Sequence, residues 1–426
     1  MVGRPKAVGL SFESDCMSAE TFWAHFAANV YERHPTVFDL DELGGNPFCE
    51  EQAARVLRLA FGRSTAKSIV RQERRFHVDF KPIFEPFIED EDLPRSDEPL
   101  SQFLRRIYDR VGGKDLTLVA HNCHIFAPDL YEGVRSFFSP LFRQVGVPAF
   151  SLGTDLFAGM YRTGPNNIHK DMGGVFTFLV TGREKSMICW PFEYFEKIAP
   201  GTKFRNFVLK DVRPEDHLKA AHIVTAKPGQ AIYFPAHWWH AAYSDNLDPV
   251  ATLNATFYLS ADVKDLLLPP ISKALDEASR SEDRVDHLIP PLNGHKVTDL
   301  QDLPVPPQAE RALKNAWRLA RLHMLSRASA TGFMTSVEAS HGFSIEEGKL
   351  WVGKPEYPVC AVRDADCGFL LANGRVIECS LTQDVLDTLE IVNSGKPFDA
   401  LQVPARTLVE SLIGFGAIVP SDHIGF

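Results

Sequence analysis

Apolar positions change their spacing several times along the chain, and each change marks a switch in the structure to expect. From Ala19 to Ile69 the spacing is mostly helical: Phe22, Phe26 and Val30 recur every four residues and fall on one helix face. The acidic, proline-containing run IEDEDLPRSDEP at 88–99 has no such period and reads as a solvated loop, with a boundary near residue 100. Between 115 and 262 the pattern becomes one of short apolar runs, LTLVA, DLFAGMY, VFTFLV, SMICW, AIYFP and ATFYLS, separated by glycine, proline and asparagine turns. Short strands punctuated in this way predict a sandwich or barrel. Helical spacing returns after 263, most plainly at 309–327, where Leu313, Trp317, Ala320 and Met324 share a face behind Pro306-Pro307. Residues 346–426 predict a further unit: a hairpin turning at Asn373-Gly374, a helix over VLDTLEIV with capping-box spacing from Ser380 to Gln383, and a helix over 405–413.

Composition narrows the class. The 426 residues are more than one ordinary domain needs, and 45% hydrophobic with 23% charged residues is the balance of a globular chain. No run approaches the roughly 18 apolar residues of a membrane span, and the N-terminus turns polar too soon for a signal peptide, so the expectation is a cytoplasmic protein without a membrane partner. Seven scattered cysteines with no CxxC pair fit reduced thiols better than a disulfide frame or a structural zinc. A net charge of −10 disfavours a phosphate backbone, so no nucleic-acid partner is expected.

The segment NNIHKDMGGVFTFLV places His169 and Asp171 two positions apart at the head of an apolar run. Residues i and i+2 of a strand point to the same side, so an imidazole and a carboxylate converge and one metal ion can accept both. A second HxD occurs at His77-Val78-Asp79, but among RQERRF and ahead of the strand-rich region. Context favours the first copy. KPGQAIYFPAHWWHAAYS supplies a turn, an apolar strand, and histidines at 237 and 240, far enough on for the chain to return beside His169. A second histidine completes a 2-His-1-carboxylate triad, a donor set that leaves positions open and suits non-haem iron(II). His121-Asn122-Cys123-His124 also has ligand-type residues, but no partner cluster at zinc spacing accompanies it, and it reads as a strand end.

HKD, a following glycine-turn strand and YFPAHWWH together resemble the JmjC-type cupin oxygenases, a group that includes asparaginyl hydroxylases and ribosomal-protein oxygenases. The specific motifs cover residues 105–262. FWAHFAANVYERHPTVF is similar to the helix and strand that introduce that group, and the layout beyond the barrel is closest to the bacterial ribosomal-protein oxygenases. The resemblance implies a mainly β plus α chain in four parts. These are a helical lead-in at 1–104 packing on the barrel, a double-stranded β-helix (cupin or JmjC jelly roll) at 105–262, a helical connector and dimerisation region at 263–345, and a winged-helix-like domain at 346–426. It selects His240, directly after the paired tryptophans, over His237 as the distal ligand, and implies Fe(II) on His169, Asp171 and His240. Trp238 and Trp239 are then packing residues.

The resemblance also names 2-oxoglutarate as co-substrate, whose far carboxylate needs a cation in the barrel. Counting forward from Asp171 lands on Glu184, against the family pattern, whereas counting back from Trp190-Pro191 lands on Lys185. Lys185 is the expected partner, with Arg183 on the same strand face as the alternative. Tyr161, Asn166, Thr177 and Asn254 are candidates for further hydrogen bonds to the co-substrate. The implied activity is O2-dependent hydroxylation of a C–H bond in a protein or peptide residue. The alternatives are a hydroxylase of a free amino acid or small metabolite, a demethylase acting through N-methyl hydroxylation, a non-catalytic cupin scaffold, and a winged-helix regulator. Charge weighs against the last: residues 346–426 hold six Lys plus Arg against twelve Asp plus Glu, a surface better suited to protein docking than to DNA.

Overall fold

The computed structural model describes residues 18–62, 74–79, 81–83, 92–125, 127–148, 151–203, 205–244, 247–258, a few positions within 268–276, 307–333, 345, 347–365 and 367–423. It is a mixed α/β chain whose sheets are antiparallel, divided into two compact units, 1–260 with 331–338 and 261–330 with 339–426.

The first unit opens with α1 (Ala19–Asn29), β1 (Thr36–Asp39), α2 (Glu50–Phe61), β2 (Arg74–Val78), β3 (Lys81–Ile83), α3 (Leu100–Arg110), β4 (Leu116–Ala120) and α4 (Pro128–Val145). Nine strands follow: β5 (Ser151–Met160), β6 (Ile168–Lys170), β7 (Gly173–Thr181), β8 (Lys185–Trp190) and β9 (Phe207–Leu209), then β10 (His222–Ala226), β11 (Gln230–Phe234), β12 (Trp239–Tyr243) and β13 (Val250–Tyr258). They form an eight-stranded sheet in the order β1-β11-β7-β13-β5-β4-β2-β3 and a five-stranded sheet in the order β10-β8-β12-β6-β9.

Alternation explains how the large sheet serves two neighbours at once. On β7, Phe176 and Phe178 point to the helical side, where Phe176 meets Trp23 and Phe26 of α1, Phe138 of α4 and Phe257 of β13 within 6.1 Å between ring centroids. Val175 and Thr177 point the other way and line a cavity. Since both faces are covered, the strands read as nearly continuous apolar runs. Phe22, Phe26 and Val30 are all at most 2% exposed, as their four-residue spacing predicts.

The predicted lead-in differs in one respect. Within 18–62 it is two helices with a strand between them, and β1, β2 and β3 join the same sheet as β5, β7 and β13. His77 therefore lies within a sheet, not outside it. Strands of three to five residues carry too few positions to show a period of two, and what recruits them is pairing with distant partners such as Thr36 with Tyr233. Residues 63–69 and 88–91 lie outside the described residues.

In the second unit, helix α5 (Pro307–Ser329) precedes β14 (Leu350–Gly353), β15 (Cys360–Asp364), β16 (Cys367–Ala372) and β17 (Arg375–Cys379). Next come α6 (Gln383–Asn393), β18 (Phe398–Asp399), α7 (Arg406–Gly414) and β19 (Ile418–Pro420). The hairpin turns at Asn373 and Gly374, both at positive φ (47° and 78°), as an Asn-Gly turn requires. The cap of α6 is Thr382, whose side chain accepts from the Val385 N–H, rather than Ser380. Along α5, Ala312, Ala316 and Ala320 are buried, whereas Leu313, Trp317 and Met324 are 44–57% exposed. Most of the expected connector, 277–306 and 334–344, lies outside the described residues.

Candidate metal centre and its cavity

Strand β6 lies between β12 and β9, with His169 opposite both His240 and Val208. Directly opposed residues share a face, and the two imidazole centroids are 4.2 Å apart. Asp171, one residue beyond the strand, returns to the same side. Its Oδ2 lies 3.6 Å from His240 Nε2, and ligand atoms of the three side chains lie within 4.8 Å of one another. No other group of three among the described residues does so.

Both rings are oriented by the same device. His169 Nδ1–H donates to the Asn167 carbonyl at 3.0 Å and His240 Nδ1–H to the Trp238 carbonyl at 3.1 Å, in each case two residues back. A carbonyl only accepts, so the proton resides on Nδ1 and the Nε2 lone pair is free for a cation. Burial, helped by the neighbouring His169 and opposed by Asp171, pushes the His240 imidazole down to about 3. It is therefore neutral at pH 7, as a ligand must be. Two imidazole nitrogens and one carboxylate on one side of a cavity fit iron(II) by the chemistry of the donors.

His237 has another task. At φ 66° it sits in a left-handed turn, and its N–H donates to the Asp171 carbonyl at 3.1 Å, tying the segment after β6 to the turn before β12. At the other HxD, Asp79 lies in the turn after β2 at φ 48° and faces Lys114 at 3.8 Å, and among the described residues that pair belongs to no group of three ligand-type side chains.

The triad lines a cavity of about 1040 Å³, and Tyr161, Asn166, Thr177, Lys185 and Asn254 line it too. Lys185 is 3% exposed; its Nζ donates to Tyr161 Oη at 2.6 Å and lies 4.5 Å from the centroid of that ring. No carboxylate among the described residues forms an ion pair with it. A buried ammonium held only by a phenol is a place for a ligand's carboxylate. Arg183 is placed differently from the expectation. It lies in the turn before β8, not on a strand face; its side chain is 82% exposed, 3.8 Å from Asp248, and it lines a separate surface depression with Glu184. Gly182, at φ 126°, makes the turn that leaves residues 182–184 outside the strand.

Register aligns Thr177 with Asn254 and Asn254 with Asp155, a polar row across β7, β13 and β5. The row ends at His121, whose Nδ1 lies 2.9 Å from Asp155 Oδ1. Asn254 Oδ1 is buried without a hydrogen-bond partner among the described residues. Within the HNCH segment, His121 and Asn122 line the cavity, Cys123 Sγ donates to the Ala120 carbonyl, and His124 Nδ1 bonds Thr154 Oγ1 at 3.0 Å. Strand β4 ends at Ala120, so the segment follows the strand, and Cys123 and His124 open a short 3-10 turn.

Sequence reasoning passed over Asp155, Tyr258 and Lys170. The first two had a signal in the alternation itself, since Gly153, Asp155 and Phe157 of β5 and Asn254, Thr256 and Tyr258 of β13 are every second residue and all line the cavity. Burial raises the Tyr258 phenol, and the Asp155 and Asp171 carboxylates raise it further, so it stays protonated as a donor. Lys170 is pushed down to about 8 by burial, against the pull of Asp171.

No protein-family model matches the chain. Solved structures do match. The structure of YcfD from Escherichia coli superposes with a TM-score of 0.52 at 15% identity, covering 94% of this chain and 98% of that one. The chain has the fold of a ribosomal oxygenase. A second crystal structure described as Escherichia coli ribosomal oxygenase YcfD gives 0.51 at 15% identity over the same shares. YcfD in complex with cobalt and 2-oxoglutarate gives 0.50 at 13%, again over 94% and 98%. At such identities the likeness establishes fold alone, and it agrees with the JmjC-type resemblance in the motifs. HSPB1-associated protein 1 of Rattus norvegicus and of Mus musculus match at 38% identity over 60 residues. That stretch is 13% of this chain and 12% of each relative.

Proposed function

We propose that the chain is an Fe(II)- and 2-oxoglutarate-dependent oxygenase that hydroxylates a C–H bond of a residue in a protein or peptide. The observation that carries the reading is the convergence of His169, Asp171 and His240 in one cavity with the buried Lys185. His169, Asp171 and His240 would hold the iron, and Lys185 with Tyr161 would hold the distal carboxylate of the co-substrate. When bound, iron and 2-oxoglutarate supply the oxidising chemistry with O2. The chain's own residues orient the ligands, keep the His240 imidazole neutral and line the cavity around them. Thr177, Asn166 and Asn254 are placed to add hydrogen bonds to the co-substrate.

A cavity of about 1040 Å³ stands at the upper end of what one small ligand occupies, which leaves room for a substrate side chain beside the co-substrate. The solved structures of like fold are of a ribosomal oxygenase, which favours a polypeptide over a free metabolite. In the same reading, the two sheets of the first unit are the double-stranded β-helix, and the acidic 346–426 segment is a winged-helix-like module that docks protein. No helix among the described residues is long and apolar enough to cross a membrane.

The test is to incubate the iron(II) protein with 2-oxoglutarate, ascorbate and a peptide panel, reading succinate formation and a mass gain of one oxygen atom. Wild type and His77→Ala should both turn over, while the His169→Ala, Asp171→Ala and His240→Ala proteins bind no stoichiometric iron and do not. Absence of succinate with every peptide from iron-loaded wild type would leave a scaffold as the better reading.

A further inference from the structure

Lys170 stands between the two residues of the HxD pair and faces the opposite way. The register that sets His240 beside His169 also sets Trp239 beside Lys170, so the second pair is the reverse side of the first. One pair faces the cavity, which Lys170 also borders. On the other side Trp239 packs in an apolar cover with Ile168, Trp190, Phe192 and Phe195. An ammonium in such surroundings is costly unless it is satisfied. Lys170 is 0% exposed, yet its Nζ donates to the Lys203 carbonyl at 3.2 Å and to the Arg205 carbonyl. It also lies 5.7 Å from the ring centroids of both Phe192 and Trp239, within cation–π range.

Its position bears on how the ligand strand is held. β6 has three residues and pairs with β12 at two register positions and with β9 at three. Both ladders end at Lys170, one residue before Asp171, whereas a metal site needs ligands fixed closely in place. Three consecutive residues are each tied to other parts of the chain. The Lys170 ammonium holds the carbonyls at 203 and 205, the Asp171 carbonyl accepts the His237 N–H, and the Met172 N–H donates to Asn206 Oδ1 at 2.9 Å. Lys203, Arg205 and Asn206 thus hold the chain on both sides of Asp171.

We propose that Lys170 is a positioning residue for the metal centre: its buried ammonium locks the ligand strand to the Lys203 and Arg205 carbonyls and so sets how His169 and Asp171 meet a divalent cation. The proposal rests on the reading of His169, Asp171 and His240 as ligands, and one experiment separates the two.

Full-length wild type, Lys170→Met and Lys170→Arg are titrated with cobalt(II), read by calorimetric Kd and by the d–d absorption of the bound ion. Loss of a group that orients metal ligands typically weakens binding about ten- to a hundredfold, and Lys170→Met should show that loss with an altered d–d spectrum. Lys170→Arg keeps the cation and its donors and should recover most of the affinity and the wild-type band shape. A merely structural lysine would change the melting temperature but leave the spectrum of the bound cobalt alone. Should Lys170→Met not fold, Lys170→Gln carries the same test, being neutral but still able to donate to a carbonyl. A folded neutral variant with wild-type Kd and spectrum overturns the proposal while leaving the ligand assignment standing. A wild-type protein that takes up no cobalt overturns both.

Discussion

Replacing Lys185 by alanine removes a buried cation in the cavity wall whose hydrogen-bond partner among the described residues is the Tyr161 phenol. A hydrogen bond to a charged group contributes about 1.5–3 kcal/mol, and each ~1.4 kcal/mol is tenfold in affinity, so 2-oxoglutarate should bind about ten- to a hundredfold more weakly. Arg183→Ala is the internal control. Its partner Asp248 is 3.8 Å away on the surface, an interaction of at most about 1 kcal/mol, and the co-substrate Kd should move by less than about fivefold. Calorimetry on cobalt-loaded protein under anaerobic conditions measures both. A second ligand isolates the contact: 2-oxobutyrate keeps the chelating end but lacks the distal carboxylate, so it should bind wild type and Lys185→Ala alike. Cobalt binding itself should be unchanged, because Lys185 is not among the ligands. The reasoning is refuted if Arg183→Ala loses affinity and Lys185→Ala does not, or if Lys185→Ala weakens both ligands equally.

Acid should destabilise the metal-free protein through His240. Its folded pKa is depressed to about 3, so the unfolded chain binds the extra proton between about pH 6.5 and 3; stability is intact above that window and falls as pH drops through it, by up to roughly 1.4 kcal/mol per pH unit. Urea melts at several pH values should show a shallower slope for His240→Asn, and identical slopes would contradict the assignment. The exposed Leu313, Trp317 and Met324 on α5 should be covered by a second copy: sedimentation should give a dimer that Trp317→Asp weakens, whereas a concentration-independent single-chain mass for wild type would refute it.

What the sequence determined is what short-range geometry carries. Two residues at i and i+2 of a strand share a face whatever the rest of the chain does, and so His169 and Asp171 were legible as a pair. The same holds for the Asn373-Gly374 turn and for the helix face of Phe22, Phe26 and Val30. Tertiary structure decided everything that depends on which strand lies beside which. Only the β6–β12 register sets His240 beside His169 and turns His237 into a bond to the Asp171 carbonyl. Only the exact end of the turn after β7 separates Lys185, inside the cavity, from Arg183, two residues earlier and in solvent. The polar row from Thr177 to His121 crosses four segments, and the staple at Lys170 reaches carbonyls more than thirty residues away. Register between distant strands is chosen by the summed packing of both faces, and no local pattern of side chains encodes that sum.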